Sequence, residues 1–267
     1  MTHRFHWMEY GAGEPLVILH GLFGSLDNWA TLARRFGERH RVLAYDARNH
    51  GRSFHDPVFS YRAMAEDLRE FMAARGIASA NLLGHSMGGK TCMTFAVSYP
   101  AKVRRLVVVD IGPKEYGRRH DELLEAMHEL DPAAFRDRSA VDAALGVRIA
   151  DAPVRQFLMK NLVREPHGGF RWKMNLPVIA ARYAETGRPL PAGARYDGPT
   201  LFVRGSLSSY LLPGDFPSIR GFFPAAEMAT VEGAGHWVHA DRPAELAAVV
   251  EEFLGGGGEP APPTAAS

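Results

Sequence analysis

The sequence holds a single cysteine, Cys92, in 267 residues. One thiol excludes an intrachain disulfide and a cysteine-built metal cluster. In the apolar segment after Ser86 it reads as a small buried hydrophobe. An excess of one charge is also missing. The chain carries 31 Lys and Arg against 30 Asp and Glu, a formal net charge of +1. That balance leaves no electrostatic footprint for nucleic acid or an anionic membrane. No run approaches the roughly 18 apolar residues of a membrane span. Met1-Thr2-His3-Arg4-Phe5-His6 lacks the apolar core of a signal peptide, so a cytoplasmic protein is expected. Twelve histidines invite a metal, yet no H-E-x-x-H or comparable pair is present. No metal and no cofactor are expected. What remains is an ordinary globular composition, 46% hydrophobic and 23% charged, without internal repeats. Its length fits one large α/β domain or a core with an insertion.

Strand and helix signals alternate through the first 112 residues. Arg4 to Tyr10 alternates apolar and polar and reads as an edge strand. Pro15-Leu16-Val17-Ile18-Leu19 is continuously apolar, as a strand covered on both faces must be. A helix is expected from Asp27 to about Arg39, then a strand over Arg41 to Asp46. A further helix, Tyr61 to Arg75, is closed by Gly76. Next come a strand ending near Ser86, a helix to Tyr99, and a strand, Val103 to Asp110. This order predicts an α/β fold with a doubly wound, mostly parallel sheet. From Pro113 to Arg195 the signals are helical, broken at proline and glycine clusters, with no buried strand run. We read residues 113–195 as a helical cap inserted after the Asp110 strand, and 1–112 with 196–254 as the core. Strand signals return at Pro199 to Gly205 and Ala226 to Glu232, and a helix runs from Pro243 to Leu254. Residues 255–267 are rich in Gly, Pro, Ala and Ser and are expected to be disordered.

Gly84-His85-Ser86-Met87-Gly88 fits G-x-S-x-G, a pattern that holds a serine on a sharp strand-to-helix turn. Side chains in place of its glycines would meet neighbouring backbone. The serine needs an imidazole as base. His236, in the glycine-rich loop Gly233-Ala234-Gly235-His236-Trp237 after the last strand, is the candidate; His239 reads as structural. The imidazole in turn needs an acid. Asp110, at its strand's end, gives the order Ser, Asp, His. Asp215, the first carboxylate after Gly205, is the alternative. Two backbone amides, of Leu22 and Met87, are candidates for an oxyanion hole, with Phe23 as the fallback donor. Phe23 and Trp237, beside Leu22 and His236, are the candidate substrate-binding residues. Arg48 and His50 read as props of the loop after Asp46, and His85 as an orienting residue. Lys90 reads as partner to a carboxylate. Arg118, Arg119 and His120 read as a solvated cap face, with an anionic head group as their alternative contact.

His20-Gly21-Leu22-Phe23-Gly24-Ser25, Asp46-Ala47-Arg48-Asn49-His50-Gly51, the Ser86 motif and Gly233 to Ala240 together resemble the α/β-hydrolase superfamily. Asp110-Ile111-Gly112-Pro113 and Arg118 to Glu122 are similar to its small YbfF-like esterase branch, related to abhydrolase domain-containing protein 11 of animals. The resemblance covers Pro15 to Leu254. It implies an α/β-hydrolase fold and the acid at Asp110. It also implies a cofactor-free serine esterase or thioesterase for short- to medium-chain acyl groups, with a small-molecule ester as partner. Another triad-dependent reaction (C–C bond hydrolase, haloperoxidase or hydroxynitrile lyase) or a non-catalytic ligand receptor on the same fold is the alternative. Oligomeric state is not legible.

Overall fold

The computed structural model describes residues 4–255. Its elements in chain order are β1 (Trp7–Tyr10), β2 (Glu14–Leu19), α1 (Ala30–Phe36), β3 (His40–Tyr45), α2 (Tyr61–Ala73), β4 (Ala80–His85), α3 (Met87–Ser98) and β5 (Val103–Val109). The insertion follows: α4 (Asp121–Glu129), α5 (Arg138–Gly146), α6 (Ala152–Met159), β6 (Leu162–Arg164), β7 (Phe170–Trp172) and α7 (Leu176–Ala181). The chain closes with β8 (Thr200–Gly205), α8 (Phe216–Phe222), β9 (Ala226–Val231), α9 (Val238–Asp241) and α10 (Pro243–Gly255). Apart from Gly255, the expected disordered tail lies outside the described residues.

Seven strands form one sheet in the order β1-β3-β2-β4-β5-β8-β9. Only β1 is antiparallel, on the edge against β3. The central strands are largely apolar because both faces are covered. Val17 and Leu19 of β2 join the cluster under α2, α3 and α8, while Leu16 and Ile18 join the one under α1 and α10. Alternate residues on a strand face opposite sides, so the two clusters share each strand by turns. On α2 the buried positions Met64, Leu68, Phe71 and Met72 recur at helical spacing. Each such side chain adds about 1.5–3 kcal/mol on burial.

Two expectations are corrected. The first helix is shorter than expected: Leu26–Trp29 form a 3-10 turn, α1 begins only at Ala30, and Gly37 caps it. The insertion is helical but also holds the β6–β7 hairpin, paired from Leu162–Trp172 to Arg164–Phe170. Its three-residue strands are too short for an alternating pattern to stand out. A third cluster packs insertion residues such as Met127, Leu158 and Phe170 onto Phe23, Phe59, Met64 and Met87. The insertion therefore lies over the C-terminal edge of the sheet, where open α/β sheets place their sites. No helix among the described residues is long and apolar enough to cross a membrane.

Candidate active site

Ser86 joins β4 to α3 with φ +52° and ψ −116°. Such a backbone persists only where the surroundings force it. The flanking glycines explain how the turn closes. A Cβ on Gly84 would stand 2.3 Å from the Gly88 carbonyl oxygen, and one on Gly88 would stand 2.3 Å from that of Leu19. The turn thus lifts the Ser86 hydroxyl above the sheet edge at the N-terminus of α3.

The loop after β9 brings His236 to this hydroxyl, with Nε2 3.1 Å from Ser86 Oγ. Its Nδ1 lies 2.7 Å from Asp110 Oδ2. Asp110 follows β5 with φ +51° and is fully buried. The Gly205 amide donates to its Oδ1 at 3.0 Å, and the Ser208 hydroxyl donates to Oδ2. Asp215 stands apart: its Oδ2 accepts from Lys114 Nζ at 2.6 Å and from the Leu212 amide at 2.9 Å. Burial above all, together with His120 and Arg119, lowers the proton affinity of His236 to about 3, so the resting ring is neutral. Burial pushes the Asp110 carboxyl up to about 6, against the Ser208 hydroxyl and Gly205 amide that favour its charge.

Two further residues hold the imidazole. The Tyr210 ring stacks on it with centroids 3.7 Å apart. His85 Nε2 is 2.8 Å from the His236 carbonyl oxygen, so His85 donates and fixes the loop. Burial keeps His85 neutral. His239 is also buried, stacked on Trp29 at 4.7 Å and edge-on to His85 at 4.8 Å.

The loop after β2 is pinned by two buried histidines. His20 Nδ1 lies 2.8 Å from the Gly21 carbonyl oxygen and Nε2 accepts from the Ala47 amide at 3.0 Å. His50 Nδ1 lies 3.0 Å from the Arg48 carbonyl oxygen and Nε2 accepts from the Phe23 amide at 3.3 Å. Both rings therefore carry their proton on Nδ1. The Phe23 amide is committed to His50, which leaves that of Leu22. Met87 opens α3, where the first amides of a helix have no intrahelical acceptor. Arg48 props the loop after β3, donating to both Asp67 oxygens and to the carbonyls of Val58 and Ala63.

A small cavity, about 30 Å³, opens beside Ser86 and is lined by Leu22, Met87, Tyr61, Tyr116, Tyr183 and Tyr210 among others. Arg119 and His120 also line it. They precede α4; Arg118 and Arg119 are exposed, as expected, while His120 is turned inward. His120 Nδ1 lies 2.8 Å from the Tyr183 hydroxyl and Nε2 3.1 Å from that of Tyr210. Phe23 and Trp237 are not in this lining. Phe23 is buried against His120, with centroids 5.8 Å apart, and Trp237 packs on Phe157 at 5.3 Å. Sequence reasoning missed Ser208 and Tyr210. Both lie in the carboxylate-free stretch Gly205 to Tyr210, where a hydroxyl and a ring are the signal.

Comparison with known proteins gives the family. The sequence pattern of the α/β hydrolase fold family matches residues 14–158. The chain is 41% identical over 247 residues to the sn-1-specific diacylglycerol lipase ABHD11 of Mus musculus, covering 90% of this chain and 80% of that protein. It is 36% identical over 244 residues to esterase YbfF of Escherichia coli, covering 90% and 93%. A solved marine microorganism esterase superposes with a TM-score of 0.92 at 38% identity, covering 95% of this chain and all of that one. The chain belongs to the α/β hydrolase fold family, and within it to the YbfF-like esterase branch.

Proposed function

We propose that this esterase is a serine carboxylic-ester hydrolase working through an acyl-enzyme, with Ser86 as nucleophile, His236 as base and Asp110 as the acid that orients it. The observation that carries this is the unbroken hydrogen-bonded line from Ser86 Oγ through the His236 ring, at 3.1 and 2.7 Å, to Asp110. His236 Nε2 takes the Ser86 proton as Oγ attacks the acyl carbonyl. The oxyanion that forms points at the amides of Leu22 and Met87. Collapse expels the alcohol or thiol, which receives the proton from His236. Water then attacks the acyl-enzyme, deprotonated by the same ring, and frees the acid.

Short- to medium-chain acyl esters or thioesters are the proposed substrates, because the cavity beside Ser86 is small and mostly walled by apolar and aromatic side chains. Residues 1–112 with 196–254 form the hydrolase core, and residues 113–195 the cap that sets chain length. Phe23 and Trp237 would reach substrate only as the cap moves. A cytoplasmic setting fits the balanced charge and the unpaired, buried Cys92. Hydrolysis of p-nitrophenyl butyrate by Ser86→Ala tests the mechanism, with an expected fall of about 10⁴- to 10⁶-fold in kcat. Turnover near that of the unmodified enzyme would overturn it.

A further inference from the structure

Lys90 lies one turn into α3, the helix that Ser86 precedes, and only 1% of it is exposed. It does not meet the carboxylate expected of it. Its Nζ donates to the carbonyl oxygens of Lys114 and Arg188, both at 2.6 Å. These carbonyls stand where the chain enters and leaves the insertion. The two legs are zipped together by the Tyr116 amide on the Gly187 carbonyl and the Leu190 amide on the Pro113 carbonyl, each 2.9 Å. They press so closely that a Cβ on Gly187 would fall 2.3 Å from the Tyr116 carbonyl oxygen. From the core, the Tyr61 hydroxyl adds a third tie, 2.6 Å to the Thr186 carbonyl. The same stretch walls the cavity, through Tyr116, Gly117, Thr186 and Gly187.

Burying an ammonium costs more than burying a methionine of similar length. That cost is visible in Lys90, where burial brings the amine down to about 7. What methionine lacks is donors. A lysine reaches two carbonyls on separate strands of chain, and even as a neutral amine it keeps two N–H bonds for them. The Tyr116 and Tyr61 rings, 4.9 and 5.9 Å from Nζ, face the amine without replacing those bonds.

We propose that Lys90 is a positioning residue that clasps both legs of the cap to the nucleophile's helix and thereby sets the width of the acyl cavity. It rests on the esterase reading, which turnover by the unmodified enzyme and its loss in Ser86→Ala test separately. The cavity wall is spaced by this clasp, so releasing it widens the acyl site without touching the Ser86, His236 and Asp110 line.

The test compares Lys90→Met, Lys90→Gln and Tyr61→Phe with the unmodified enzyme on p-nitrophenyl acetate and octanoate. Releasing the legs is expected to change the octanoate-to-acetate ratio of kcat/KM by about tenfold in Lys90→Met. The change should lie in KM, with kcat on acetate moving less than about threefold. Lys90→Gln, whose amide still donates, is expected to restore part of the ratio. Tyr61→Phe loosens the same leg without a buried charge and is expected to shift the ratio in the same direction. Hydrogen exchange in Lys90→Met should rise at the Tyr116 and Leu190 amides. An unchanged ratio in Tyr61→Phe together with either Lys90 variant overturns the proposal, as does an equal fall in kcat on both esters. If Lys90→Met fails to fold, Lys90→Gln and Tyr61→Phe decide alone.

Discussion

At the scale of single residues, the site turns on a carboxylate held in its charged form against its own burial. Asp110 has a high proton affinity for an aspartate, about 6, even with the Ser208 hydroxyl and the Gly205 amide on its oxygens. The charged form, which orients His236, is therefore complete only above that pH and is lost as pH falls through it. The two groups titrate as a pair, so kcat/KM should fall with an apparent midpoint near 6 on the acid side. In Ser208→Ala the favouring bond is gone, and the midpoint should move to higher pH. A hydrogen bond to a charged group is worth about 1.5–3 kcal/mol, so the variant should also lose roughly 10- to 100-fold in kcat/KM at neutral pH. A pH profile of the two enzymes reads both effects; a midpoint that moves down would contradict the assignment. The choice of acid is checked alongside. Asp110→Asn should cost about 10⁴-fold in kcat. Asp215→Asn removes only a partly exposed pair with Lys114, worth about 0–1 kcal/mol, and should leave the rate within about twofold.

At the scale of elements, legibility followed distance along the chain. The central parallel strands were readable because they are largely apolar on both faces, and the Ser86 turn because its glycines answer to steric contacts within a few residues. The β6–β7 hairpin was not, since its strands gain their stability from packing in the third cluster. Lys90 was misread for the same reason: its acceptors are backbone oxygens 24 and 98 positions away, which carry no residue-type signal. Arg48 was read as a prop, and its anchor is the α2 residue Asp67, contacted at 2.5 and 2.8 Å. Burial pushes the Asp67 carboxyl upward even beside this guanidinium, so the pair returns little beyond its own desolvation. Breaking it is a different matter. Arg48→Met should destabilise by about 3–5 kcal/mol, because it leaves a buried, unpaired carboxylate. Adding Asp67→Leu to that variant should recover a large part of the loss. Urea midpoints of the two variants check this; a double variant no better than the single would place the value of the pair in Arg48's bonds to Val58 and Ala63.

At the scale of the whole molecule, the cap and the core share one interior. The third cluster joins α4, α5, α6 and the hairpin to Phe23, Phe59, Met64 and Met87, which belong to the core loops, α2 and α3. The hairpin side is held by Asn161 Nδ2 on the Phe23 carbonyl at 2.6 Å and by the Asn175 amide on the Asn49 carbonyl at 2.9 Å. The opposite side is held by the legs at Lys90. The cavity beside Ser86 lies between them, walled by Leu22, Tyr61 and Met87 from the core and by Tyr116 and Tyr183 from the insertion. The shared cluster keeps the two parts together around it. Cap and core are accordingly expected to unfold as one cooperative unit. Hydrogen exchange followed by mass spectrometry over a urea series checks this, using peptides from α4 to α7 and from β4 to α3. Both sets should lose protection at the same urea concentration, within about 0.3 M given slopes of roughly 1–3 kcal/mol per molar for small proteins. Earlier loss across the whole of α4 to α7 would make the cap an independent unit.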